Sequence, residues 1–208
     1  MESGDYVKII VDGKPVLTKE YPEPIINVVT DPHINMIPEG SKWNTITLEE
    51  YSDQLLDADP RGFAYTYGER LREYRPHSYT IGCDQVAEII EKLRSDRHTR
   101  QAVACTWMPH EDNDQDYPPC MLVIDAKIRK NKLNLTTFFR SNDMFSAWPQ
   151  NSYGLTKLQS YLCRALHATN GKLVFISSSA HIYEYDFQDA CKLTGLDYQV
   201  VLEEIKRI

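Results

Sequence analysis

The stretch PPCMLVIDAKIRKNKLNLTTFFRSND, running from Pro118 to Asp143, organises the rest of the chain around it. Two strand-like runs, 121–129 and 132–140, flank the turn-like pair Lys130-Asn131. That pattern predicts an antiparallel hairpin. Folding back along it returns Arg140 to the neighbourhood of Cys120. A thiol is a weak nucleophile until it ionises, and a nearby guanidinium favours the thiolate. The same guanidinium can hold a phosphate with its planar set of donors. A nucleophile beside an anion clamp points to covalent chemistry on a phosphorylated substrate.

Outward from the hairpin, helices and strands alternate irregularly. Short strands are expected at 7–11 and 25–29, and a buried-type strand at 101–107. Thr47-Leu48-Glu49-Glu50 has the form of a capping box, opening a helix to about Asp57. Residues 63–74 are aromatic and charged, with no clean period. Asp84 is expected to cap a helix that carries Val86, Ile89, Ile90 and Leu93 at helical spacing. Residues 110–117 form an acidic loop. Leu155, Leu158, Leu162 and Leu166 mark a long core helix over 151–167, which Gly171 ends before a strand at 172–176. Two closing helices are expected at 186–193 and 200–207. The fold class is therefore α+β, with a mixed, largely antiparallel sheet and a long core helix. Residues 1–45 are expected to be an N-terminal extension of the same single domain, and 46–208 its catalytic part.

Composition narrows the function. A formal net charge of −7 argues against nucleic-acid binding, which needs a basic face. No apolar run approaches the ~18 residues of a membrane helix, and the first twenty residues lack the apolar core of a secretory signal. The five cysteines, Cys83, Cys105, Cys120, Cys163 and Cys191, are odd in number with no C-x-x-C spacing. Reduced thiols in the cytoplasm fit better than a zinc site or a disulfide frame, and no metal is expected.

Several residues invite two readings. Strand alternation puts His181 and Tyr183 on one face, suited to a sugar hydroxyl or to simple half-burial against backbone. Tyr67, before Gly68, could line a cleft at a turn or merely pack. Arg100 lies at a helix-to-strand junction, where anion contacts and solvated arginines both occur. Asn151, after Trp148-Pro149, could cap the long helix.

Six phrases taken together resemble the thymidylate synthase family, particularly its short archaeal-type branch. They are Tyr65-Thr66-Tyr67-Gly68-Glu69-Arg70-Leu71, Thr99-Arg100-Gln101-Ala102-Val103-Ala104, Pro118-Pro119-Cys120, Phe139-Arg140-Ser141-Asn142-Asp143-Met144-Phe145, Ala147-Trp148-Pro149-Gln150-Asn151 and Ala180-His181-Ile182-Tyr183. They keep the family's order across roughly residues 60–190. The resemblance implies a one-carbon transfer from 5,10-methylenetetrahydrofolate, or a related pterin, to C5 of dUMP. It matches Cys120 to the nucleophile that adds at C6. It matches Asn151 to the residue that reads the O4 edge, where an amide can donate to O4 and accept from N3–H. Related hydroxymethylases acting on dCMP carry aspartate there. Asp143 matches a residue contributing at that edge and to the folate, and Tyr67 a tyrosine serving a water network near the C5 proton. Arg140 and Ser141 match phosphate ligands, and His181 and Tyr183 ligands of the 3′-hydroxyl. Arg100 matches an arginine that reaches across a homodimer, packed sheet against sheet, to the partner's phosphate.

The chain also departs from the family pattern. Gln101 stands where a second interface arginine is usual, and Met121 where long-form members have histidine. No arginine in residues 1–60 matches the N-terminal phosphate clamp. The relay glutamate has only Glu49 and Glu50 as candidates, and 200–208 do not resemble the closing tail. A nucleotide 5-hydroxymethyltransferase acting on dUMP or dCMP is the alternative within the class. Outside it stand a nucleotide-binding protein without turnover and a cysteine hydrolase using Cys120, His181 and an acid.

Overall fold

The computed structural model describes residues 4–37, 39–63, 65–76 and 80–207. Nine strands and seven helices follow one another among them: β1 (Asp5–Val11), β2 (Lys14–Glu20), β3 (Ile25–Val29), α1 (Thr45–Leu56), α2 (Tyr67–Arg72), α3 (Gln85–Ser95), β4 (Val103–Cys105), α4 (Pro109–Asp112), β5 (Met121–Arg129), β6 (Lys132–Phe139), β7 (Asn142–Asp143), α5 (Ala147–Leu166), β8 (Thr169–Ser177), β9 (Ala180–Tyr183), α6 (Phe187–Thr194) and α7 (Tyr198–Ile205). None of these helices is long and apolar enough to cross a membrane.

The strands form two sheets, in the orders β3-β8-β6-β5-β4 and β1-β2-β9-β7. All neighbours are antiparallel except β6 with β8 and β7 with β9. The predicted hairpin is β5–β6, and Lys130 and Asn131 adopt φ of 51° and 58°, the left-handed pair that a tight two-residue turn requires. After Phe139 and after Ser177 the chain crosses from the larger sheet into the smaller one. The two crossings run side by side, tied by Ser178 N–H to Phe139 O (2.9 Å), Asn142 N–H to Ser179 O (2.8 Å) and Asn142 Nδ2 to Ser177 Oγ (2.8 Å). This seam between the sheets is where the motifs converge.

One face of the five-stranded sheet carries the main core. Ile124, Ala126, Leu133, Leu135, Leu173 and Phe175 are buried against α1, α3 and α5. A smaller core of Leu17, Phe187, Cys191 and Val201 joins the second sheet to α6 and α7. The other face of the larger sheet stays open among the described residues, with Ile26 65%, Val28 51% and Val103 45% exposed.

Several boundaries differ from the sequence expectation. The cap of α1 is Asn44, whose side chain accepts from Thr47 N–H, so the helix begins before the supposed capping box. The stretch 63–74 contains α2, capped by Thr66 through Glu69 N–H. β2 was not anticipated, and α4 opens the supposed acidic loop. Asn151 lies inside α5, which starts at Ala147. Gly171 lies within β8, where a Cβ would stand 2.6 Å from Leu133 O. Its role is close approach of two strands and not helix termination.

Candidate active site

Cys120 immediately precedes β5, and Arg140 immediately follows β6. The ladder continues through them, with Arg140 N–H donating to Cys120 O at 2.9 Å. The Arg140 side chain then folds over the proline loop. Nε donates to Pro119 O (2.9 Å) and Nη2 to Pro118 O (2.8 Å), which brings Nη2 to 3.9 Å from Cys120 Sγ. The guanidinium also lies 5.8 Å from the centre of the Trp107 ring. The two prolines thus present carbonyls that fix the cation beside the sulfur.

Proximity alone does not ionise the thiol. Burial pushes the Cys120 pKa up, Arg140 pulls it down, and the Asp143 carboxylate pushes it up again. Arg140 favours the thiolate, as expected, but the net direction is upward because burial outweighs it. Desolvation of a sulfur anion outweighs one guanidinium that two carbonyls already engage.

The sulfur stands between two adjoining cavities. One, of about 390 Å³, is lined by Cys120, Tyr67, Ser141, Asp143, Asn151, His181 and Tyr183. The other, of about 610 Å³, shares Cys120, Ser141 and Tyr183 and adds Arg140, Asp12 and Asp116. Eight of the nine expected site residues therefore meet here. The ninth, Arg100, is exposed before β4 and lines neither cavity.

Each wall residue is held by its element. Asp143 ends β7, and its Oδ1 accepts from Phe145 N–H and Ser146 N–H, both at 3.0 Å, at the turn into α5. Burial raises its pKa against the pull of those two amides and of His181. Asn151, one turn into α5, is buried, and its Oδ1 accepts from the Tyr51 hydroxyl. Tyr67 opens α2 and accepts from Met121 N–H at 2.9 Å, which locks α2 onto the start of β5. Burial holds its own pKa well above the usual phenol value. His181 and Tyr183 share a face of β9, with ring centres 5.1 Å apart at 89°.

Tyr51, Gln54 and Phe63, none of them singled out by a motif, also line the first cavity. Tyr51 follows Leu48 by three positions and precedes Leu55 by four, so helical spacing alone puts it on the buried face of α1. Glu49 and Glu50 are both absent from the cavity's lining. Glu49 accepts from Lys157 Nζ (2.7 Å) and from the Tyr153 hydroxyl, and Glu50 is exposed. Neither lines the cavity, so neither is a relay acid there. Similarly, α7 packs on the first hairpin, where Glu204 accepts from Lys19 Nζ (2.8 Å) and the Tyr6 hydroxyl (2.9 Å).

The arrangement places a thiol between a guanidinium on one side and amide and carboxyl groups on the other. Comparison with known proteins agrees with it. The sequence profile of the family described as thymidylate synthase matches residues 33–196. A protein named "putative thymidylate synthase" from Methanococcoides burtonii is 42% identical over 167 residues, 80% of this chain and 75% of that one. A protein of the same name from Methanosarcina barkeri is 39% identical over 181 residues, 86% and 81% of the two chains. Another from Methanocaldococcus jannaschii is 34% identical over 187 residues, 85% and 83% of the two chains. The chain belongs to the thymidylate synthase family, and its enzyme class is that of a thymidylate synthase-type methyltransferase.

Proposed function

We propose that this protein transfers a one-carbon unit to C5 of dUMP through a covalent adduct at C6 on Cys120, forming dTMP. The observation that carries this reading is the position of the Cys120 thiol in the wall of two adjoining cavities, one with the Asn151 amide and the other with the Arg140 guanidinium. The phosphate lies toward Arg140 and Ser141, the sugar toward His181 and Tyr183, and the base toward Asn151. The sulfur adds to C6 as an S–C bond forms, and the C5=C6 electron pair moves toward O4. Asn151 donates a hydrogen bond to that oxygen as charge develops, which stabilises the enolate. C5 thereby becomes the nucleophile. Loss of the C5 proton and of the sulfur later restores the double bond. Tyr67 keeps its hydroxyl proton at neutral pH, so it orients water for that proton and is not itself the base.

The residues at Asp143 suit a reduced pterin. Oδ1 is engaged by backbone amides, while Oδ2 has no donor among the described residues and can accept from an amino or amide edge. The exposed ring of Phe63 borders the same cavity and offers a flat apolar surface. A bound methylenetetrahydrofolate supplies the one-carbon unit and the hydride that completes the methyl group. Asp143 and Phe63 would hold it, and the protein's part is to orient it and exclude water.

On the phosphate side, the described wall has one cation, Arg140, against Asp12 and Asp116. A dianion there needs another positive charge. Arg100 is exposed, with no ion-pair partner among the described residues, next to the open sheet face, which suits a homodimer in which each subunit lends Arg100 to the other. Incubation with dUMP and methylenetetrahydrofolate, followed by mass spectrometry of the nucleotide, tests the reading. The expected product is dTMP. A 5-hydroxymethyl product would reassign the final step, and unchanged dUMP would overturn the proposal.

A further inference from the structure

We infer that Tyr51 is a specificity-determining residue: by holding Oδ1 of Asn151, it fixes which way the amide faces and so which pyrimidine the cavity accepts. The inference rests on the dUMP reading above and deepens it.

The Tyr51 hydroxyl donates to Asn151 Oδ1 across the α1–α5 interface. Two features hold the pair in place. Gly154, on the next turn of α5, lets α1 approach: a Cβ there would meet Leu55 Cδ1 at 3.0 Å and Tyr51 Cε1 at 3.3 Å. Tyr51 also lines the cavity itself, beside Tyr65 and Tyr67. Burial and the neighbouring Tyr65 and Cys120 push its pKa well above the ordinary phenol value, so the hydroxyl keeps its proton and needs an acceptor. Asn151 Oδ1 is that acceptor. No described residue accepts from Asn151 Nδ2, which is left for a ligand.

An amide oxygen has two lone pairs. Tyr51 occupies one and the other remains for a ring N–H, while Nδ2 faces an acceptor. That pattern, a donor beside an acceptor, matches N3–H and O4 of uracil. Cytosine reverses both, with an unprotonated N3 and an amino group at C4. To accept it, the Asn151 amide must turn over. Turning presents Nδ2 to Tyr51 and strips its hydroxyl of the acceptor, a loss in a buried site that weighs against the flip. The amide's identity and its orientation are therefore separate determinants, and the second belongs to a residue on another helix.

Tyr51→Phe removes the hydroxyl and keeps the ring. Equilibrium binding of dUMP and dCMP to wild type and variant, in the full-length protein, reads the effect. The preference for dUMP over dCMP is expected to fall by about tenfold or more, with dUMP weakened and dCMP unchanged or strengthened. A loss confined to dUMP does not arise from general loosening of the fold. An unchanged preference, or equal loss for both nucleotides, would overturn the inference while leaving the dUMP reading intact. Wild-type protein that binds neither nucleotide would overturn both. The double variant Tyr51→Phe with Asn151→Asp provides a second test: if Tyr51 acts through the amide, its removal changes selectivity less once the amide is gone, and an undiminished effect would contradict the inference.

Discussion

At Cys120 two opposing effects are set by position. The thiol is half-buried between two cavities, the guanidinium is held by proline carbonyls, and Asp143 faces it from β7. A thiol reacts as the thiolate, and burial disfavours that charge. The pH midpoint for alkylation of Cys120 by iodoacetamide, read from peptide mapping, should therefore lie above that of an ordinary thiol. Asp143→Asn removes a neighbouring negative charge and should lower the midpoint, and Arg140→Gln should raise it. Shifts of the opposite sign would show that the charges act elsewhere. Arg140→Ala should weaken dUMP far more than deoxyuridine, by about 1.5–3 kcal/mol in the difference measured by calorimetry. Equal losses would point to collapse of the proline loop, since Arg140 also binds Pro118 and Pro119. Asn151→Asp should move preference from dUMP toward dCMP in competition binding, and unchanged selectivity would put base reading elsewhere. The return of Arg140 to the neighbourhood of Cys120 was legible in sequence because a two-residue turn dictates hairpin register; the register shift between Met121 and Val123, which puts Arg140 and not Ser141 opposite Cys120, was not. The thiol's upward pKa was not, since burial depends on elements distant in the chain.

Elements position these residues through two close contacts. A Cβ at Gly68 would stand 2.0 Å from both Gln54 O and Asp57 O, so α2 begins against the end of α1 with no room for a side chain. Gly68→Ala should destabilise the protein by about 3 kcal/mol, seen as a lower denaturation midpoint, and should displace the neighbouring Tyr67. A wild-type midpoint would mean the helices separate freely. Behind α2, buried Arg70 pairs with buried Asp112 of α4 at 2.9 Å, and Asp112 also accepts from Met108 N–H at 2.6 Å. Arg70→Met would leave a buried carboxylate uncompensated, at a cost of about 3 kcal/mol or more in the same measurement. Long periodic elements were legible: the 121–140 hairpin, the α3 cap at Asp84 and the leucine face of α5 follow from alternation or helical spacing. Short or tertiary-held ones were not. α2 spans six residues, too few to show a period. β2 buries Leu17, Thr18 and Lys19 in succession, without alternation, and Lys19 is tolerated there because Glu204 of α7 meets it.

At the scale of the whole molecule, the two sheets meet along the crossings after β6 and β8, and the cleft lies on that seam. The outer face of the larger sheet carries Ile26, Ile176, Phe138, Val123 and Cys105 in one transverse row, and Val28, Val174, Thr136, Asp125 and Val103 in the next. If such faces pack in a homodimer and Arg100 crosses it, two inactive variants should rescue each other. Mixing Cys120→Ser with Arg100→Ala gives dimers with one intact site, so exchange of subunits should restore about a quarter of wild-type turnover. Absence of rescue, with exchange shown by native mass spectrometry, would contradict the shared site. The central claim is narrower, that the Cys120 sulfur bonds to the pyrimidine ring. It is tested most directly by weighing the intact protein after incubation with 5-fluoro-dUMP and methylenetetrahydrofolate, then mapping the adduct. The predicted result is a covalent ternary species on the peptide that contains Cys120. No mass increase, or an adduct on another cysteine, would contradict it.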